Sequence, residues 1–135
     1  MAEKAFHLEI VTPKRVVFSG EVTSFSAPGV VGGFQVLKNH APFLSSIAVG
    51  EVKLVDLAGT ESHYATSGGV VEVHDNKVVM LAETAERSDE IDVVRAQAAR
   101  DRAQKRLAEK KTEVDYDRAR IALIRAINRL KVAHQ

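Results

Sequence analysis

From Phe6 onward, short runs of the chain alternate apolar with polar residues. Phe6, Leu8 and Ile10 alternate with His7 and Glu9, Val52 and Leu54 with Glu51 and Lys53, and Val71 and Val73 with Glu72 and His74. A period of two sends successive side chains to opposite faces, so these runs predict half-buried strands. Turn-forming pairs punctuate them: Ser19-Gly20, Pro28-Gly29, Gly32-Gly33, Lys38-Asn39 and Ala58-Gly59. Val70 to Val73 and Val78 to Leu81 flank Asp75-Asn76, the pattern of a tight hairpin. Strands are expected to about Glu83, and many short strands at this spacing predict a sandwich or barrel.

Beyond that point the pattern changes. All 8 Gly fall between Gly20 and Gly69, and all 3 Pro between Pro13 and Pro42. A stretch without either can run as long helices. Ser88 is the expected N-cap of a first helix, with Asp89 and Glu90 at its positive end, running to about Lys111. Thr112-Glu113-Val114-Asp115 has the form of a capping box, so Thr112 should start a second helix. The break falls at Lys110 to Thr112, and so short a connection makes the helices antiparallel neighbours. Their expected apolar sides are Ala96, Ala99, Ala103 and Leu107 on the first, and Tyr116, Ala119, Leu123, Ile127 and Leu130 on the second. At ~0.8 kcal/mol per buried CH₂, an alanine seam holds a hairpin weakly, which makes it a candidate for opening.

Composition sharpens the division. The 135 residues carry a net charge of +1, but 6 Lys/Arg face 10 Asp/Glu up to Glu86, a balance of −4, while 13 face 8 from Arg87 onward, a balance of +5. Such asymmetry suggests that the halves meet different partners. The absence of cysteine excludes disulfides, thiolate metal sites and cysteine nucleophiles, and fits a reducing compartment. Met1 to His7 show no signal-peptide pattern, and no run approaches the roughly 18 apolar residues of a membrane helix.

Enzyme signatures are missing from the pattern. There is no Walker A loop or Rossmann glycine motif, and the 5 His (His7, His40, His63, His74, His134) have no metal-binding spacing. Glu72 and His74 read most simply as a solvated strand face. No catalytic residue and no metal ligand is therefore expected. Arginine placement says more. Asp92, Arg95, Ala99, Arg102 and Arg106 share one face of the first helix, and Arg118, Ala122, Arg125 and Arg129 one face of the second. Guanidinium forks suit phosphate oxygens, and alanine between them leaves room. Converging rows would cradle a polyphosphate; the plainer alternative is a solvated face of ion pairs, each worth ~0.2–0.5 kcal/mol. With 5 Phe and 2 Tyr in all, and only Tyr116 on the helices, binding of nucleic-acid strands by stacking is disfavoured. A basic hairpin module for nucleic acid or an acidic protein partner remains the alternative function.

Several segments in order resemble one family. Val36 to Leu44, containing Asn39-His40-Ala41-Pro42-Phe43-Leu44, resembles the G-H-A-P-L-L segment of the epsilon subunit of rotary ATP synthases. Phe18-Ser19-Gly20 precedes it at the family's distance. Ser67-Gly68-Gly69-Val70-Val71-Glu72-Val73 and Leu81-Ala82-Glu83-Thr84-Ala85 follow, and Ile91-Asp92-Val93-Val94-Arg95-Ala96 resembles the bacterial I/L-D-x-x-R-A motif. Lys38-Asn39 stand where the family often has Pro-Gly, and Val31 to Phe34 lack the acidic residue that some members carry.

The resemblance implies a β + α fold: an N-terminal ten-stranded β-sandwich followed by a C-terminal antiparallel two-helix hairpin. Residues 1–86 would be the docking sandwich and 87–135 the regulatory hairpin. It implies a non-catalytic central-stalk subunit of the proton-translocating ATP synthase, at the cytoplasmic face of the cell membrane. Its partners would be the gamma subunit, the c-subunit ring and the catalytic alpha/beta head. The hairpin would close on ATP, a regulatory ligand needing no magnesium, and open to inhibit ATP hydrolysis. No cofactor is required and no nucleic acid is bound. Matching the family's ATP site are Glu86, Ile91, Asp92, Arg95, Ala96, Arg102, Arg125 and Arg129; Gly33 and His40 match the interface with the c-ring and gamma.

Overall fold

The structure, a computed structural model, describes residues 4–109 and 112–134. The chain divides into two compact units, Met1–Arg87 and Ser88–Gln135.

The first unit is built from strands. Among the described residues they are β1 (Phe6–Val11), β2 (Val16–Gly29), β3 (Gly32–Val36), β4 (Phe43–Ile47), β5 (Gly50–Asp56), β6 (Glu61–Thr66), β7 (Gly69–His74), β8 (Lys77–Ala82) and β9 (Ala85–Arg87). They pair in the order β1-β8-β7-β4-β2-β5-β6-β9, with β3 alongside β2. A further β1–β2 ladder closes a ring through β8, β7 and β4. Among the described residues, only β1 and β8 pair in parallel. The predicted ten strands become nine because β2, at 14 residues, takes two places. Its first half pairs with β1 and its second with β5 and β3, and the ladder to β5 slips between Val22 and Ser24. A slip of this kind bends a strand and lets it pass from one layer to another.

The alternation in sequence reaches the core directly. Leu8 and Ile10 are fully buried, as are Phe25 and Met80, while Val52 and Leu54 are nearly so. Each such side chain contributes roughly 1.5–3 kcal/mol through burial. The β7–β8 connection is the expected tight hairpin: His74 pairs with Lys77, and Asp75 and Asn76 take φ of 50° and 58°. Positive φ at both central positions matches the twist of the flanking strands.

Two local expectations are corrected here. Ser19-Gly20 and Pro28-Gly29 lie inside β2, where Gly20 pairs with Leu8 and Pro28 with Gly33. Long-range ladders override their turn tendency. Strand structure also continues past Glu83, because β9 pairs with β6 from Thr66–Ala85 to Tyr64–Arg87. Three residues are too few for a period to show.

The second unit comprises a 3₁₀ turn at Ser88–Glu90, α1 (Val93–Glu109) and α2 (Glu113–Ala133). Ser88 is therefore not the cap of α1. Asp92 is: its Oδ1 accepts the Arg95 N–H at 3.0 Å, and its carbonyl accepts the Ala96 N–H at 2.9 Å. The 3₁₀ turn uses up Ser88 to Glu90, and the α-helix starts after them. Thr112 caps α2 as predicted, accepting the Asp115 N–H at 3.0 Å. Lys110 and Lys111, where the first helix was expected to end, lie outside the described residues. Among the described residues, no helix is long and apolar enough to cross a membrane.

Candidate functional site

Alanine sets the approach of α1 and α2. Ala103 and Ala119 line the same groove, and each is 3% exposed. Seven residues away on either helix, Ala96 and Ala126 are buried as well. Seven residues are about two turns, so the four alanines form a facing seam in an antiparallel pair. The seam differs from the expected stripe. Tyr116 and Ile127 are 42% and 47% exposed, and the buried positions of α2 are Ala119, Ala126 and Val132, with Leu123 and Leu130 half-buried. Close contact at alanine turns the larger side chains to the flanks.

The arginine rows border this seam. One groove of about 290 Å³ is lined by Arg106, Glu109, Asp115, Arg118 and Ala119. A second, of about 230 Å³, adjoins it at Arg106 and Ala119 and is lined also by Ala99, Arg102, Ala103 and Ala122. Because Arg106 and Arg118 border one groove, the two rows run along the same side of the hairpin. Among the described residues, Arg95, Arg102, Arg106 and Arg118 form no ion pair.

The residues expected to contact ATP fall into different settings. Arg102 stands in the alanine-floored groove. Arg95 and Arg125 are exposed, each the chain neighbour of a seam residue, Ala96 or Ala126, at one level of the pair. Arg129, half-buried, continues the α2 row, and both Arg125 and Arg129 make interactions in the folded chain. Ile91 and Ala96 are buried and offer apolar surface only. Asp92 is exposed and already caps α1. Glu86 belongs to β9, half-buried, in register with Ala65 of β6. Sequence spacing had put Arg106 and Arg118 on the rows expected to cradle a polyphosphate, although the family's ATP site does not include them. The nearby carboxylates Glu109 and Asp115 gave no signal, since helix pairing alone brings them to the groove.

On the sandwich, Gly33 is exposed on β3 and His40 sits in the loop before β4. His40 Nδ1 lies 2.7 Å from the Ala41 carbonyl, to which it donates, and its ring meets Phe43 edge-on at 5.7 Å. His63 lies between Glu51, at 3.3 Å, and Glu61, at 3.6 Å. His74 pairs with Asp75 at 3.0 Å rather than with Glu72. Among the described residues, no group of three or more His, Asp or Glu is arranged to hold a metal.

A sandwich of this topology joined to a two-helix unit has known counterparts. Residues 5–88 match the β-sandwich domain of the ATP synthase delta/epsilon chain, and residues 89–134 match its long α-helix domain. The chain belongs to the ATP synthase delta/epsilon family and is a non-catalytic subunit. Its relatives are epsilon chains. The ATP synthase epsilon chain of Pelotomaculum thermopropionicum is 52% identical over 135 residues, covering 100% of both chains. That of Nitratidesulfovibrio vulgaris is 50% identical over 130 residues, 96% of each. Among solved structures, a chain of the Euglena gracilis mitochondrial ATP synthase (OSCP/F1/c-ring, rotational state 1) shares the fold. Its TM-score is 0.84 at 21% identity, over 97% of this chain and 82% of that one. A chain of the Tetrahymena thermophila mitochondrial ATP synthase central stalk and c-ring gives 0.61 at 14% identity, over 94% and 95%.

Proposed function

We propose that this subunit works in the central stalk of a proton-translocating ATP synthase and that its hairpin senses ATP. The sandwich would dock on gamma and the c-ring at the cytoplasmic face of the membrane, with Gly33 and His40 in that contact. The hairpin would close on ATP and, when ATP falls, open toward the alpha/beta head and inhibit hydrolysis. The observation that carries this reading is Arg102, unpaired in a groove floored by Ala99, Ala103 and Ala122, on the side of the seam where both arginine rows run.

The energetics suit a switch. The seam buries alanines, which contribute little area, so the closed pair is held weakly. A ligand bound only by the closed form stabilises it by RT ln(1 + [L]/Kd), about 1.4 kcal/mol at tenfold excess. That amount moves the population when the two forms lie within a few kcal/mol. In the closed form Arg95 and Arg102 of α1, with Arg125 and Arg129 of α2, would bridge the phosphates, and Ile91 and Ala96 would supply apolar contact. Asp92 would meet the base. Guanidinium groups neutralise the phosphates directly, so magnesium is not needed.

An ATP titration of the whole chain, read by calorimetry and by a distance probe across the hairpin, tests this. ATP should compact the hairpin, and Arg125→Ala should weaken binding tenfold or more. No response to millimolar ATP would end the sensing role.

A further inference from the structure

One edge of the sandwich ends without a neighbour. Among the described residues β3 pairs with β2 alone, so its far side closes no ladder. We propose that this edge pairs with the same edge of a second copy of the chain, antiparallel and two-fold about Phe34, so that the free subunit self-associates.

Backbone direction comes first. In an antiparallel ladder a residue turns its N–H and C=O to the same side, and successive residues alternate. The Pro28 carbonyl accepts the Ala48 N–H at 2.8 Å, so Pro28 turns away from β3. Gly33, opposite Pro28, therefore turns its own N–H and C=O outward, as does Gln35 two residues on. Among the described residues, these outward groups meet no other backbone group. The Gln35 side chain is already engaged, donating to Ser24 Oγ at 2.9 Å. The strand is also fixed in place, since Val36 is buried and Phe34 meets Phe43 edge-on at 4.9 Å.

Exposed edges are usually guarded by charge, proline or a bulge. Residues 29–37 contain no charged residue and no proline, and the β2–β3 register runs without a slip. At the other end of the strand order, β9 carries Glu86 and Arg87.

The match to a second copy lies in the register. Pairing about Phe34 sets Gly33 opposite the copy's Gln35 and Gln35 opposite the copy's Gly33. Each such pair exchanges both of its N–H···O bonds. Gly33 leaves room there: a Cβ on it would meet only the Ala27 carbonyl, at 3.8 Å. The same register brings Val31, 97% exposed, beside the copy's Leu37, 52% exposed, at both ends of the pairing. Two uncharged edges meet without like-charge repulsion. Strands of 5 residues bury less than the roughly 1,000 Å² of a lasting complex, so the dimer is weak and reversible. It covers Gly33, so self-pairing and docking at Gly33 exclude each other. The inference goes beyond the docking reading and is tested without the synthase.

The test is sedimentation equilibrium of the full chain over a concentration series reaching the millimolar range. The apparent mass of wild type should climb toward twice that of the monomer. Gly33→Pro removes an outward N–H and no ladder bond, and should weaken association tenfold or more. Val31→Lys/Leu37→Lys and Val31→Glu/Leu37→Glu should each lose tenfold or more by like-charge repulsion. An equimolar mixture of these two variants should recover association, a gain that misfolding cannot produce. A wild type that stays monomeric would overturn the proposal and leave the edge to an extended segment of another protein. Association undiminished in the charged variants, or lost in both and not recovered by mixing, would overturn it as well.

Discussion

Asn39 and Asn76, 37 positions apart, hold each other by two hydrogen bonds. The Asn39 N–H donates to Asn76 Oδ1 at 2.6 Å, and Asn76 Nδ2 donates to Asn39 Oδ1 at 2.9 Å. Both residues have positive φ, 64° and 58°. Asparagine tolerates that backbone better than most residues, and its short amide reaches across. The pair ties the loop carrying His40 to the β7–β8 turn. Asn76→Ala removes both bonds and worsens the backbone fit, and should cost about 1–2 kcal/mol in a denaturant titration of the full chain. Asn76→Gly should recover the backbone part only.

Gly69 offers a sharper test of the sandwich. Its φ is 154°, and a Cβ there would collide with the Leu81 carbonyl and backbone of β8. Neither β7 nor β8 can yield without disturbing the ladder from Gly69–Ala82 to His74–Lys77. Gly69→Ala should destabilise the protein by about 3 kcal/mol or more, read as a lowered midpoint of thermal unfolding. A loss under about 1 kcal/mol would mean that the strands shift freely at this point.

Asp92 carries two roles that substitution can separate. Asparagine caps a helix about as well as aspartate but carries no charge. Asp92→Asn should therefore keep helix content and stability. If Asp92 also contacts ATP through its charge, the same variant should change ATP affinity in calorimetry. Asp92→Ala should lose the cap as well, about 1 kcal/mol of stability.

Inhibition is tested by removing the hairpin. Deleting the residues after Ser88 from the subunit in the assembled synthase should leave assembly and proton coupling intact and raise ATPase activity. Unchanged ATPase activity would argue against an inhibitory hairpin.

Much of this architecture is written in local pattern. Alternation identified β1, β5 and β7 through Leu8, Leu54 and Val71, all buried, because a strand's faces follow a period of two wherever one face is covered. The Asp75-Asn76 turn and the Thr112 cap were equally readable, since each depends on neighbours within a few residues. The arginine rows were visible from helical spacing alone.

Other features arise only when distant segments meet. Ser19-Gly20 read as a turn and became part of β2, because pairing with β1 outweighs a dipeptide's preference. Ala85–Arg87 is a strand only because β6 lies beside it. The helix α2 shows Tyr116 and Ile127 to solvent because alanines meeting alanines allow an approach that larger residues cannot share. The same contact sets Arg106 of one helix beside Arg118 of the other. Spacing along one helix gives the face of a side chain; its neighbour across the seam depends on register and rotation, which are properties of two packed surfaces together.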